Sequence, residues 1–232
     1  MTVAALAVGA YVVARETSVF AVQTIDVRGG TPVVRAEVRA ALRDESGVSL
    51  LRVGGADLTR RLAALPDVAS FTYDRSFPHT LRIVVRRERP VLVVRQVPGS
   101  DAYLVASSGR VLRALPHAEL SPLPRLWVTQ SVPVSVGARL PAAVAGAAQA
   151  AAAADDLRLP GGVRTIVASP SSLTLDLGTG LQVRLGDAGD VRLKLAIARK
   201  IIRVVGGAQA TGYVDVSVPE RPVADSNPQV GG

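Results

Sequence analysis

The feature that most constrains the fold is a change in hydrophobic period at Pro90. Upstream of it, apolar residues recur at helical and then at strand spacing. Downstream, they come in short runs cut by turn residues. Residues 20–27 (FAVQTIDV) set Val22, Thr24 and Asp26 against Ala21, Gln23, Ile25 and Val27 before Gly29 and Gly30 break the run, which predicts a strand. Thr31 offers an N-cap and Pro32 a first-turn proline. Val34, Val38 and Leu42 follow at four-residue spacing, with Arg35, Arg39 and Arg43 one step further round, so an amphipathic helix is expected, stopped near Gly47. Leu58, Leu62 and Leu65 share one face of a second short helix that ends at Pro66. Two strands come next: residues 68–75, with Phe71 and Tyr73 on one face, and residues 81–87, with Leu81, Ile83 and Val85 inward, opposite Arg82, Val84 and Arg86. The order strand, helix, helix, strand, strand predicts a compact α+β unit over residues 18–89.

Beyond Pro90 the pattern predicts a β-rich domain with two helices over residues 90–223. Its short strands are expected at 91–96 and 103–106, followed by the turn Ser107-Ser108-Gly109 and by Val111 and Leu112. An alanine-rich stretch at 141–156 has high helix propensity. Strands resume at 163–168 and 173–177, and Gly178-Thr179-Gly180 joins the latter to 181–185 as a hairpin. Asp187 and Asp190 stand at the positive end of the next helix, where Val191, Leu195, Ala198 and Ile202 share one face and Arg192, Arg199 and Arg203 another. Gly206 and Gly207 end it. A last strand is expected at 212–218, stopped by Pro219, and residues 224–232 read as a loose, turn-rich tail.

At the other end of the chain, residues 3–14 (VAALAVGAYVVA) form an uncharged run of twelve, closed by Arg15 and Glu16. A membrane span takes about 20 apolar residues. With no basic stretch ahead of the run and no Ala-x-Ala cleavage site after it, residues 1–17 read as the later part of a transmembrane helix, truncated at its cytoplasmic side. The chain would then be a single-pass protein of the cell membrane with its C-terminal domains outside the cytoplasm. Arg15 on the outer side would call for a more basic tail upstream.

Composition excludes several kinds of chemistry. The balance of 48% hydrophobic and 20% charged residues is that of a globular chain. There are no cysteines, which removes disulfides and thiolate metal sites. A net charge of +8 could suit nucleic acid, but 25 of the 27 basic residues are arginine in an Ala-, Val- and Leu-rich chain, all but Lys194 and Lys200. No aromatic cluster lies among these arginines for bases to stack on, so nucleic acid is not expected as a partner. His79 and His117 are the only histidines, and each sits in a loop segment without a nucleophile or carboxylate cluster beside it. Asp155-Asp156 and Asp187/Asp190 flank helices, where capping and dipole compensation account for them. No phosphate loop, Gly-x-Ser-x-Gly or Ser-x-x-Lys occurs. The expectation is a protein with no catalytic residues, no metal, no cofactor and no small-molecule substrate.

Three stretches together resemble the bacterial cell-division family FtsQ/DivIB. The first is FAVQTIDVRG at 20–29, similar to the opening strand of that family's polypeptide-transport-associated (POTRA) domain, with Leu65-Pro66-Asp67-Val68 after its helices. The second is RSFPHTLRIVVRRERPV at 75–91, with an aromatic-proline turn, a Leu-x-Ile-x-Val strand and a Glu-Arg-x-Pro exit. The third joins GLQVRLG at 180–186 through a basic amphipathic helix to GYVDVSVPERPV at 212–223. Ala106-Ser107-Ser108-Gly109 stands where members carry an Asp-x-x-Gly turn, and Val218 and Pro219 where some members have aromatic residues. The resemblance implies a POTRA domain followed by the family's β domain, and a non-catalytic scaffold of the divisome. It also implies recruitment of FtsB- and FtsL-like partners and a part in controlling septal cell-wall synthesis. A secretion or outer-membrane assembly component with a POTRA domain is the alternative, and a basic nucleic-acid binder the alternative from another class.

The expected partner surface is the last strand. Val214, Val216 and Val218 should face the core, leaving Tyr213, Asp215 and Ser217 outside, with Glu220 and Arg221 just beyond Pro219. Nothing later would cover this strand, so a partner could add a strand to it while Arg192, Arg199 and Arg203 attract acidic residues flanking the added segment.

Overall fold

The computed structural model describes residues 18–97, 101–115, 121–205 and 211–225. The chain divides into two compact units, Met1–Glu88 and Arg89–Gly232.

The first unit opens with a 3₁₀ turn at Ser18–Phe20 and continues as β1 (Thr24–Gly29), α1 (Pro32–Ala41), α2 (Gly55–Ala63), β2 (Val68–Ser76) and β3 (Thr80–Arg87). The Thr31 hydroxyl oxygen accepts from Val34 N–H at 3.3 Å, and Pro32 fills the first helical turn, as the sequence predicts. The sheet order is β1-β3-β2, with β3 central, parallel to β1 and antiparallel to β2. Leu81, Ile83 and Val85 of β3 are buried with Val34, Val38 and Leu42 and with Leu58 and Leu62, so two helical stripes close on one strand face. Between β1 and α1 the chain turns through Gly29 at φ +77°, where a Cβ would meet the Val85 carbonyl oxygen at 2.2 Å.

The second unit runs β4 (Pro90–Val97), β5 (Ala102–Ala106), β6 (Val111–Leu115), β7 (Arg125–Thr129), α3 (Ala142–Asp156), β8 (Val163–Ser169), β9 (Ser172–Leu177), β10 (Gln182–Gly186), α4 (Val191–Val205), β11 (Tyr213–Asp215) and β12 (Val223–Asp225). These strands make one nine-stranded sheet in the order β12-β11-β10-β9-β8-β7-β4-β5-β6. The helices α3 and α4 lie over the main core, where Leu92 and Val94, Leu126, Ile166, Leu175, Val183, Leu185, Val214 and Val216 meet Ala147, Ala150, Leu195 and Ile202. Val93, Ala102, Leu104, Ala106, Leu112 and Leu115 form a smaller cluster of their own. Because β4 buries residues on both faces, Val91–Val94 is a continuous apolar run rather than an alternating one.

Sequence and structure agree on the mixed α+β class and on the two helices of the second unit. They differ at the end of the sheet. The strand expected at 212–218 is only Tyr213–Asp215, and it is not terminal: β12 pairs antiparallel along its outer side, with Tyr213 opposite Asp225 and Asp215 opposite Val223. Ala224 and Asp225, read as the start of a loose tail, belong to that strand. Val218 does not pack on the core but is 52% exposed, because the chain has left the sheet by then. The sequence reading also passed over β7, which runs parallel to both β4 and β8. The apolar run at 3–14 lies outside the described residues. Among those described, no helix is long and apolar enough to cross a membrane.

Candidate partner-binding edge

The end of the large sheet is built on three short strands. Val214 and Val216 of the β11 segment are fully buried, which turns Tyr213 and Asp215 to the opposite face, where both are half-buried. There the Arg184 guanidinium lies 4.2 Å from the centroid of the Tyr213 ring. Asp215 Oδ1 accepts from Ser217 N–H at 2.9 Å and from Ser217 Oγ at 2.6 Å, a local turn that bends the chain out of the ladder. Arg221 N–H donates to the Val218 carbonyl at 3.0 Å, closing the loop that carries Val218, Glu220 and Arg221 and returns the chain as β12.

Backbone direction at β12 follows from bonds one strand further in. Gln182 N–H donates to the Gly212 carbonyl and Val216 N–H to the Arg184 carbonyl, both at 2.9 Å, so the even-numbered residues of this segment turn their polar groups toward β10. Alternation then aims Tyr213 and Asp215 at β12, and their partners Asp225 and Val223 back at β11. Ala224, between them, turns its N–H and C=O away from the sheet. Among the described residues no strand pairs with that outer side. At the opposite end of the sheet, β6 is partly covered: Val111 N–H donates to the Ala138 carbonyl and Gly137 N–H to the Val111 carbonyl, each at 2.8 Å.

The three predicted arginines share a face of α4, which packs over β10 and β11, but they do not sit on the strand edge. Arg192 Nη1 is 3.3 Å from Asp156 Oδ2, and Arg89 reaches both Asp155 and Asp156, so Arg192 belongs to an ion-pair cluster that ties α4 to α3. Arg199 is half-buried, with Nε enclosed and lacking a hydrogen-bond partner. Arg203, in the last turn, is exposed. Thus Tyr213, Asp215, Ser217, Val218, Glu220 and Arg221 are brought together around β11, while Arg192 and Arg203 stand about 16 Å apart along the helix.

Two other polar residues that the sequence singles out, His79 and Asp187, have structural partners. His79 Nδ1 lies 3.2 Å from the Ala21 carbonyl oxygen, while His117 falls outside the described residues. Asp187 Oδ1 accepts from the buried Lys194 ammonium at 2.7 Å and from Gly189 N–H at 2.9 Å. The Lys194 hydrogen bond is the main reason that the Asp187 carboxyl is held below the usual carboxylate range, with the Gly189 N–H and the Lys194 charge adding to it. A cavity of about 380 Å³ near β4 is lined mainly by Pro90, Val91, Pro122, Leu123, Leu159 and Val163, and its one carboxylate, Asp155, is engaged by Arg89. Among the described residues, no three His, Asp or Glu side chains group as a metal site. Sequence reasoning missed β12, for which the one available signal was Pro222 just ahead of Val223, a placement that suits the start of an edge strand.

A small α+β unit, followed by a sheet that ends, among the described residues, in a short strand without a further pairing strand, fits a POTRA-type domain followed by a β domain. The family model for the POTRA domain, FtsQ-type, matches residues 20–88, and that for cell division protein FtsQ/DivIB, C-terminal, matches residues 93–217. Cell division protein FtsQ of Streptomyces collinus is 27% identical over 223 residues, covering 88% of this chain and 78% of that protein. The chain belongs to the FtsQ/DivIB family of non-catalytic divisome proteins. The resemblance carried by the three sequence stretches is therefore borne out, and membership implies a membrane-anchored division protein with divisome partners. The matched span ends at Ser217, so β12 lies beyond it.

Proposed function

We propose that this protein is a bitopic scaffold that recruits FtsB- and FtsL-like partners by strand addition at the outer side of β12, and so helps to control septal wall synthesis. The observation that carries this reading is the Ala224 backbone, whose N–H and C=O face away from a sheet whose other edge is partly covered. An unpaired edge supplies main-chain hydrogen bonds to an extended partner segment, and flanking side chains select it. Ser217, Val218, Glu220 and Arg221, in the loop that leads into β12, flank the added strand, with Tyr213 and Asp215 one strand further in, and the exposed Arg203, rather than the paired Arg192 or the enclosed Arg199, draws in acidic residues of the partner. The apolar run at 3–14 anchors the chain in the cell membrane, with both folded units outside the cytoplasm. Family membership supports this placement, and the lack of charge in the run supports the anchor.

Proline substitutions test the mechanism. Ala224→Pro removes an outward donor and should weaken binding of the partner's extracytoplasmic segment about tenfold or more, measured by calorimetric titration. Ser217→Pro is the control, because that N–H is spent on Asp215 and not on the edge. Equal affinities for Ala224→Pro and the parent protein, with the fold intact by circular dichroism, would move the interface elsewhere.

A further inference from the structure

In the first unit, two large apolar side chains lie open to solvent at the end where the chain enters the fold. Val19 is 59% and Phe77 52% exposed. The Phe77 ring packs edge-on against Phe20, with centroids 5.4 Å apart and planes at 86°. This contact brings a residue of the β2–β3 turn to the start of the chain, and the backbone fixes the arrangement. Gln23 and Thr24 N–H groups donate to the His79 carbonyl at 2.9 and 3.2 Å, and the parallel pairing of Thr24 with Thr80 starts β1 and β3 side by side. Leu50 N–H donates to the Phe20 carbonyl at 2.7 Å, which adds half-buried Leu51 and exposed Arg52 to the same end. Exposed Pro78 completes it.

The apolar run ends at Ala14. Four residues separate Ala14 from Val19, so that the two are five Cα–Cα steps apart, a reach of at most about 18 Å for any path the chain can take. The headgroup region outside the hydrocarbon core is about 5–7 Å deep on each side. Val19, Phe20 and Phe77 are thus tethered within, or a few residues' length from, the lipid interface.

We infer that Val19, Phe20 and Phe77 form an apolar tip that seats in the outer headgroup layer of the membrane, holding the POTRA domain against the bilayer. This rests on the anchor reading of residues 3–14. Apolar side chains gain free energy by leaving water for the interface, and an exposed arginine beside them favours anionic lipid. A tip of this kind adds a second point of attachment and so orients the first unit relative to the membrane.

The test uses the protein as the cell makes it, with any residues that precede Met1, since a run of twelve is shorter than a span. Trp127 is the sole tryptophan, so the double substitution Phe77→Trp with Trp127→Phe leaves one reporter at the tip. The protein is reconstituted in phosphatidylcholine–phosphatidylglycerol vesicles with bromine near the glycerol end of the acyl chains. The same vesicles are floated after an alkaline wash to show whether the chain is membrane-integrated. The inference expects flotation, a blue-shifted emission and fluorescence at least halved relative to vesicles without bromine. Flotation with unquenched, water-like emission would overturn the tip while leaving the anchor standing. Failure to float would overturn the anchor reading, and the tip with it. If Phe77→Trp disturbs the fold, Val19→Trp in the same Trp127→Phe background reports on the same surface, with the same outcomes.

Discussion

Lys194 has only 4% of its surface exposed, yet it carries a charge into the side of α4 and meets Asp187 at 2.7 Å. An enclosed ammonium without its carboxylate is costly, so the pair governs the start of the helix. Because the Asp187 carboxyl is held below its usual range by that hydrogen bond, its contribution to stability is fully present above about pH 3.9, the unfolded value, and is lost as pH falls through the lower folded value. Asp187→Asn should therefore lower Tm at neutral pH, and the gap from the parent protein should narrow below about pH 4. A gap that is constant from neutral to acid pH in thermal melts would contradict this. The sequence showed Asp187 as a negative charge near a helix N-terminus, which is true. The inward turn of Lys194 was legible in the spacing but passed over: it follows Val191 by three residues and precedes Ala198 by four, on the apolar face of the helix.

Elements with many residues per period were legible. Val34 and Val38 in α1 with Leu42 at its C-cap, and Leu81, Ile83 and Val85 in β3, carry their faces in their spacing, and all six are buried. Two short strands, β12 and β7, were not. In β12, Val223, Ala224 and Asp225 are too few to display alternation, and they pair only because the Ser217 turn and the loop through Arg221 bring them back beside β11. In β7, Leu126 and Val128 are buried around an exposed Trp127, but a five-residue run flanked by prolines looks like loop until its parallel neighbours are known. Helix α3 gives a case in which local propensity misleads. Gly146 lies in an alanine-rich helix, where alanine should be better by about 1 kcal/mol. A Cβ there would stand 2.5 Å from the Ala188 Cβ. Gly146→Ala should therefore destabilise, since overpacking costs about 1–3 kcal/mol. Urea unfolding should show a lower midpoint with an unchanged slope; a raised midpoint would show that the loop at Ala188 yields freely.

At the scale of the whole molecule, the family could be read from three stretches because each couples a turn to a strand: Gly29 at the end of β1, the aromatic-proline turn before β3, and, in the third stretch, the glycines before β10 and before Tyr213. The candidate site was legible in part. The sheet does end near Tyr213, but the strand that forms its edge lay in a segment whose composition looked like tail. The account turns on that edge strand accepting a partner strand, and amide hydrogen exchange at β12 reads it most directly. With the FtsB-like extracytoplasmic segment bound, the Ala224 N–H should become protected at least tenfold, while Ser217, already bonded to Asp215, should change little. Unchanged exchange at Ala224 in a saturated complex would contradict strand addition at β12.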